Sequence, residues 1–126
     1  RRVLFRSVHP TAIVCDTADV GSGSVVCPGA IVSDAARVGR FGLVNYHASL
    51  AHDAAAGDFA VLSPYATLAG GATVAADVFL GLHASVGPGV RVGRRSKIAA
   101  NSCALTDVPD DVLVHGVPGR ISPLLS

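Results

Sequence analysis

Methionine and tryptophan are absent from this 126-residue chain, and charge and aromatic rings are scarce. Charged residues make up 15% and aromatic residues 5%, while half of the chain is hydrophobic. A globular domain usually carries about a quarter charged residues. With so little aromatic bulk the apolar count rests on Ala and Val, which suits a thin interior. The shortage of charge also leaves part of the outside apolar, which points to an oligomer that covers that flank. Ten basic against nine acidic residues give a net charge of +1, a balance that offers nothing to nucleic acid or to an anionic membrane. No apolar run reaches the length of about 20 residues that spans a bilayer. Cys15, Cys27 and Cys103 are odd in number and lack CxxC spacing, which argues against a disulfide framework or a zinc site. A reducing, cytoplasmic setting is expected. A whole translation product begins with Met, so the chain reads as a fragment or processed piece with residues upstream of Arg1. Its basic, apolar start over residues 1–6 is too short for a secretory signal.

What the chain does contain is a period of six. Positions 8, 14, 20 and onward to 104 read V V V V V V V L A L L V L V V I A, with no insertion. Positions 12 to 102 in the same steps read A A S A A G A A A A A V A V S S. A helix needs a period near 3.6 and an isolated strand a period of 2. A sustained six marks a parallel β-helix, a solenoid of short strands joined at tight corners. The length supports one such domain.

Calling the aliphatic position i, residues i+4 and the next i lie two apart and point inward from the same strand face. Residues i+2 and i+3 fall at a corner, where Gly, Asp, Asn and Pro gather, as in Pro28-Gly29, Gly70-Gly71 and Pro88-Gly89. Such residues suit tight turns. Three corners close a coil of eighteen residues, giving coils at 8–25, 26–43, 44–61, 62–79 and 80–97 and a partial sixth. Residues eighteen apart then stand above one another, at the strand spacing of about 4.8 Å. After Ala104 the pattern decays, with an exit turn at 106–111, a short strand at 112–114 and a second turn at 116–120. The expected organisation is a linker remnant at 1–7, the coil at 8–109 and an exit segment at 110–126.

The corner rule turns sequence into site geometry. His52 occupies an i+2 position and should project outward, with Gly70 one coil above it. A histidine serves as a general base near neutral pH. A glycine lets a ligand approach its backbone N–H, a possible oxyanion donor. The bland alternative is a solvated corner imidazole over an ordinary corner glycine. His9, at the start of the coil, reads as a structural cap, and His115 as a surface residue of the tail. His47 and His83 lie two coils apart, and the gamma-class carbonic anhydrases hold zinc with three histidines on a similar coil. The third ligand would fall at Pro88, so the set is incomplete.

Several motifs carry a closer resemblance. Val8-His9-Pro10-Thr11-Ala12 opens the coil. Asn45, His52-Asp53, Gly57-Asp58-Phe59, Ser63-Pro64 and Leu68-Ala69-Gly70-Gly71 follow in order. Thr106-Asp107-Val108-Pro109 and Gly116-Val117-Pro118-Gly119-Arg120 close it. Over residues 8–120 the chain resembles the hexapeptide-repeat acyltransferases. More narrowly it is similar to sugar acetyltransferases of the sialic acid O-acetyltransferase type, which include the bacillosamine N-acetyltransferases. The resemblance implies a left-handed coil, a homotrimer with active sites between subunits, and acetyl-CoA as co-substrate with no metal. It makes His52 the base and Asp53 the acid that tunes it. It sets Asn45 against the acceptor, the Gly70 N–H against the thioester oxygen, and pantetheine past Leu82 and Ala100. Two departures stand out. The family often carries a second His where this chain has Val61, and it carries an upstream α/β domain that binds the sugar or nucleotide.

The expected function is acetyl transfer from CoA to an amino or hydroxyl group of a sugar or nucleotide sugar. The alternative from another class is a non-catalytic scaffold that keeps the coil; Val61 favours it, while His52, Asp53 and Gly70 oppose it.

Overall fold

The computed structural model describes residues 7–124. Most of the expected linker remnant, residues 1–6, lies outside the described residues, but Ser7 already pairs with Val25 as part of the first strand. Seventeen two-residue strands, β1 (Ser7–Val8) to β17 (Cys103–Ala104), recur every six residues. They stack into three parallel sheets, the three faces of a solenoid of about six turns. Pairing advances by eighteen residues, so Val26, Val44, Leu62, Leu80 and Ile98 follow one another in register on the first face.

Most corners are built alike. In the turn from Ala51 to Ala54, the Ala54 N–H donates to the Ala51 carbonyl at 3.1 Å, and Asp53 has φ of 60°. Positive φ at the third residue is the mark of a type II turn. That position is left-handed at every sixth residue from Gly23 to Asn101, although only Gly23, Gly29, Gly71 and Gly89 among them are glycine. Stacking offsets the local cost, because from Phe41 to Asn101 each such N–H donates to a corner carbonyl of the coil below, as Asp53 does to Asp34 at 3.0 Å and Gly71 to His52 at 3.0 Å, while the Gly29 and Ala35 N–H groups donate to the Thr11 and Thr17 hydroxyls. The ladder thereby satisfies the donor that a tight turn would leave exposed.

The interior alternates a larger aliphatic with a small residue. Leu50, Leu62, Leu68, Leu80 and Ile98 are fully buried, as are Ala30, Ala48, Ala66 and Ala84. Outside, the faces differ. The first presents Ser7, Val25, Leu43, Val61, Phe79 and Lys97; the second Ile13, Ile31, Ser49, Thr67, Ser85 and Cys103; the third Asp19, Arg37, Ala55, Thr73 and Arg91.

The exit segment is more tightly joined to the coil than the decaying hexad implied. β18 (Val112–His115) extends the first face, pairing Ile98 with Val114, and β19 (Arg120–Pro123) folds back on it antiparallel. The step from 98 to 114 is sixteen residues rather than eighteen. Two buried serines absorb the difference. The Ser96 hydroxyl donates to the Pro109 carbonyl at 2.7 Å and accepts the Val112 N–H at 3.0 Å, and the Ser102 hydroxyl accepts the Gly116 N–H at 2.8 Å. Outside them, the Arg95 guanidinium holds Asp111 at 2.6 and 2.9 Å, keeping that carboxyl below its usual range.

Candidate active site

His52 and Asp53 are consecutive, so on a flat strand they would point apart. The corner turns them to the same side. His52 Nδ1 lies 3.1 Å from Asp53 Oδ2, with the two side chains 71% and 68% exposed. A carboxylate only accepts, so Nδ1 is the donor in this contact, and in the neutral imidazole Nε2 then keeps its lone pair. That nitrogen points up the coil axis. A Cβ built on Gly70 would stand 2.5 Å from Nε2, which places the ring edge against the glycine one coil above. Among the described residues the Gly70 N–H donates no hydrogen bond, while its carbonyl accepts from Gly89 at 3.0 Å. An imidazole, a carboxylate beside it and a free backbone donor therefore meet at one open corner. This arrangement can take a proton and stabilise an adjacent oxyanion.

The other residues named from sequence stand elsewhere. Asn45, Leu82 and Ala100 lie at the preceding corner, between the first and second faces, whereas His52, Asp53 and Gly70 lie between the second and third. Asn45 is half-buried, and its Oδ1 accepts the Tyr46 N–H at 2.8 Å, leaving its Nδ2 free to donate outward. Leu82 and Ala100 are exposed and stacked one coil apart. A single chain thus keeps these two groups of residues at corners separated by the width of the second face.

The remaining polar candidates resolve simply. His9 caps its own corner, Nδ1 accepting the Thr11 N–H at 3.1 Å. His115 is exposed at the end of β18. Burial pushes the Cys27 thiol above its usual range; at Cys15 burial does so together with Asp34 and Asp16. Neither is poised as a thiolate nucleophile. Tyr65 is stacked between His47 and His83, with ring centroids 5.0 and 4.8 Å away, so the two imidazoles do not converge within the chain. Among the described residues no group of three His, Cys, Asp or Glu side chains is placed to hold a metal ion. Among the same residues no helix is long and apolar enough to cross a membrane. The stacked His47–Tyr65–His83 column was not anticipated, although the eighteen-residue spacing of three rings was there to be read.

An all-parallel hexad coil with a histidine–acid pair set against a corner glycine defines the class as a hexapeptide-repeat β-solenoid. Within it the chain is similar to sugar acetyltransferases. It superposes on PerB from Caulobacter crescentus, crystallised with CoA and GDP-perosamine, with a TM-score of 0.91 and 34% identity, over 94% of this chain and 57% of that one. It superposes equally on the acetyltransferase domain of PglB from Neisseria gonorrhoeae, in complex with acetyl coenzyme A, with a TM-score of 0.92 and 29% identity, over 94% and 58%. Galactoside O-acetyltransferase from Escherichia coli is 40% identical over 45 residues, 36% of this chain and 22% of that enzyme. The chain therefore spans little more than half of these structures. No family model matches it.

Proposed function

We propose that the chain is the coil portion of an acetyl-CoA-dependent acetyltransferase that modifies an amino or hydroxyl group of a sugar or nucleotide sugar. The observation that carries this reading is the placement of the His52 ring, which contacts the Asp53 carboxylate through Nδ1 and sets Nε2 against Gly70, whose own N–H is free among the described residues. The acceptor attacks the thioester carbon while Nε2 takes its proton. The carbonyl oxygen gains negative charge facing the Gly70 N–H. The C–S bond then breaks, and the proton on His52 passes to the departing thiolate, leaving the acetylated sugar and CoA. No acyl-enzyme forms, and no metal is called for. The crystallised relatives bound to CoA, acetyl-CoA and GDP-perosamine support the choice of co-substrate and acceptor class.

A homotrimer completes this site. Three coils around an axis parallel to their own can turn any one face inward, and the two corners flanking that face then meet the corners of the neighbours. Only with the second face inward does the Asn45, Leu82 and Ala100 corner of one copy abut the His52 corner of the next. That face carries no charged residue in its outward ladder from Ile13 to Cys103, whereas the third carries Asp19, Arg37 and Arg91. Three uncharged faces around an axis leave no ion to desolvate. Thr67→Arg, at the centre of this face, is expected to yield monomers by light scattering and to abolish turnover. Thr73→Arg, on the third face, is expected to leave the trimer intact. A trimeric Thr67→Arg protein would show that another face is turned inward.

The reading as a whole is tested by CoA release from acetyl-CoA across a panel of amino- and hydroxy-sugars and their nucleotide derivatives. Acetyl-CoA is expected to raise the melting temperature even without acceptor, since a ligand that binds only the native state stabilises it by mass action, about 2.7 kcal/mol at a hundredfold excess over Kd. No shift at millimolar acetyl-CoA, together with no release, would leave the coil as a non-catalytic scaffold.

A further inference from the structure

We propose that the His47–Tyr65–His83 column is the wall that selects the acceptor, holding a polyhydroxylated ring against His52 of the neighbouring copy. This rests on the acetyltransferase reading and on the trimer that joins the two half-sites. At the corner between the first and second faces, these three residues are the ones nearest in sequence to the second face, as His52 is at the next corner. With the second face inward, the column of one copy therefore opposes the His52 edge of the next. The levels agree. His47 and His52 share one coil, and Tyr65 shares the coil above with Gly70, toward which the His52 ring rises. The Tyr65 hydroxyl is thereby set opposite the space between base and oxyanion donor.

The chemistry of the column fits a sugar. All three residues are exposed and sit at left-handed corner positions, with φ of 56°, 65° and 56°. Their rings stack on one another at 5.0 and 4.8 Å, with interplanar angles of 22° and 10°, and His47 rests on Gly29 below. The faces between the rings are consumed by stacking, so a nucleobase has no open platform there. What remains is a vertical row of edges, two imidazoles and a phenol, and among the described residues none of the three side chains makes a hydrogen bond. Each such edge donates or accepts, as a hydroxyl does. A ring bearing several hydroxyls along the coil axis matches a row of that kind. The contrast lies on the corner between the third and first faces, where Phe41 and Phe59 stack at 5.4 Å with no polar edge.

The test has two arms. In a Cys15→Ser, Cys27→Ser, Cys103→Ser background, His52→Cys with Tyr65→Cys is treated with a bismaleimide long enough to span a sugar ring and the two lost side chains, and run on a denaturing gel, because a direct disulfide could not bridge that gap. Cross-linked dimers and trimers are expected; a treated trimer that runs only as single chains overturns the placement. In the otherwise unaltered protein, Tyr65→Phe keeps the stack and removes one hydroxyl. It is expected to raise KM for the sugar acceptor about 3- to 10-fold, the loss of one hydrogen bond, with KM for acetyl-CoA, melting temperature and trimer unchanged. His47→Phe is expected to do the same. Unchanged acceptor KM, or a rise confined to acetyl-CoA, overturns the acceptor role while wild-type turnover upholds the transferase. A wild type that acetylates no sugar removes the transferase reading and the acceptor role together, and the cross-link then reports on the placement alone.

Discussion

His52→Ala is expected to lower turnover roughly 10²–10⁴-fold, the range for losing a positioned general base, while the melting temperature stays nearly unchanged. The imidazole is 71% exposed and its only side-chain partner is Asp53 at 3.1 Å. Its removal opens no cavity and orphans no buried group, the two routes by which a truncation becomes costly to stability. KM for acetyl-CoA should move little, because the proton is transferred in the transition state rather than in binding. Asp53→Asn is expected to fall between wild type and His52→Ala. An amide in place of the carboxylate no longer enforces protonation at Nδ1, so part of the population holds the proton on Nε2, where it cannot act as a base. In turnover number, His47→Ala and His83→Ala should fall far less. Equal losses at His47, His52 and His83, accompanied by loss of bound zinc, would instead favour the carbonic-anhydrase-like reading.

The coil was legible in the sequence because its physics is local and repeated. Each hexad states its own inward pair, such as Ala48 and Leu50, and its own corner, so the register of Leu50 above Val32 follows by counting. The pairing of His52 with Gly70 was legible for the same reason, since eighteen residues is one turn. Two things were not. The exit breaks the period by two residues, and the compensation is made by the Ser96 and Ser102 hydroxyls, which look like ordinary small core residues in the pattern. The His47–Tyr65–His83 stack was hidden by the habit of reading corner positions as glycine sites. From Phe41 to Asn101 a carbonyl of the coil below accepts each left-handed N–H, so bulky rings are tolerated where an isolated turn would resist them. Asn45, Leu82 and Ala100 could be named from the resemblance, but a single chain does not bring them to His52; in the proposed trimer they would reach it from a neighbouring copy.

Gly70→Ala is expected to cost about 10²–10³ in turnover, comparable with the loss of an oxyanion donor, yet little stability. Gly70 lies at the third-face side of the second face, and its φ is not in the left-handed region, so an alanine backbone is unstrained there. The added Cβ meets only the tip of an exposed side chain: Nε2 of His52 at 2.5 Å and Cε1 at 2.7 Å. The imidazole must therefore swing aside, which moves the base away from the acceptor at the same time as the methyl group crowds the thioester oxygen. Stability is spared because the displaced ring is free to move into solvent. Gly71 is the control. Its φ is +69° and a Cβ there would approach nothing closer than 3.9 Å, so Gly71→Ala meets a backbone cost of about 1 kcal/mol and no collision with the site. Ala35, two coils below in the same corner column, already adopts φ of 57°, which keeps that cost modest. The expected pattern is a nearly inactive, stable Gly70→Ala protein beside an active, slightly destabilised Gly71→Ala protein, read by CoA release and thermal melting. A fully active Gly70→Ala enzyme would show that the thioester does not lie between these two coils, and that His52 does not act from the position it holds against Gly70.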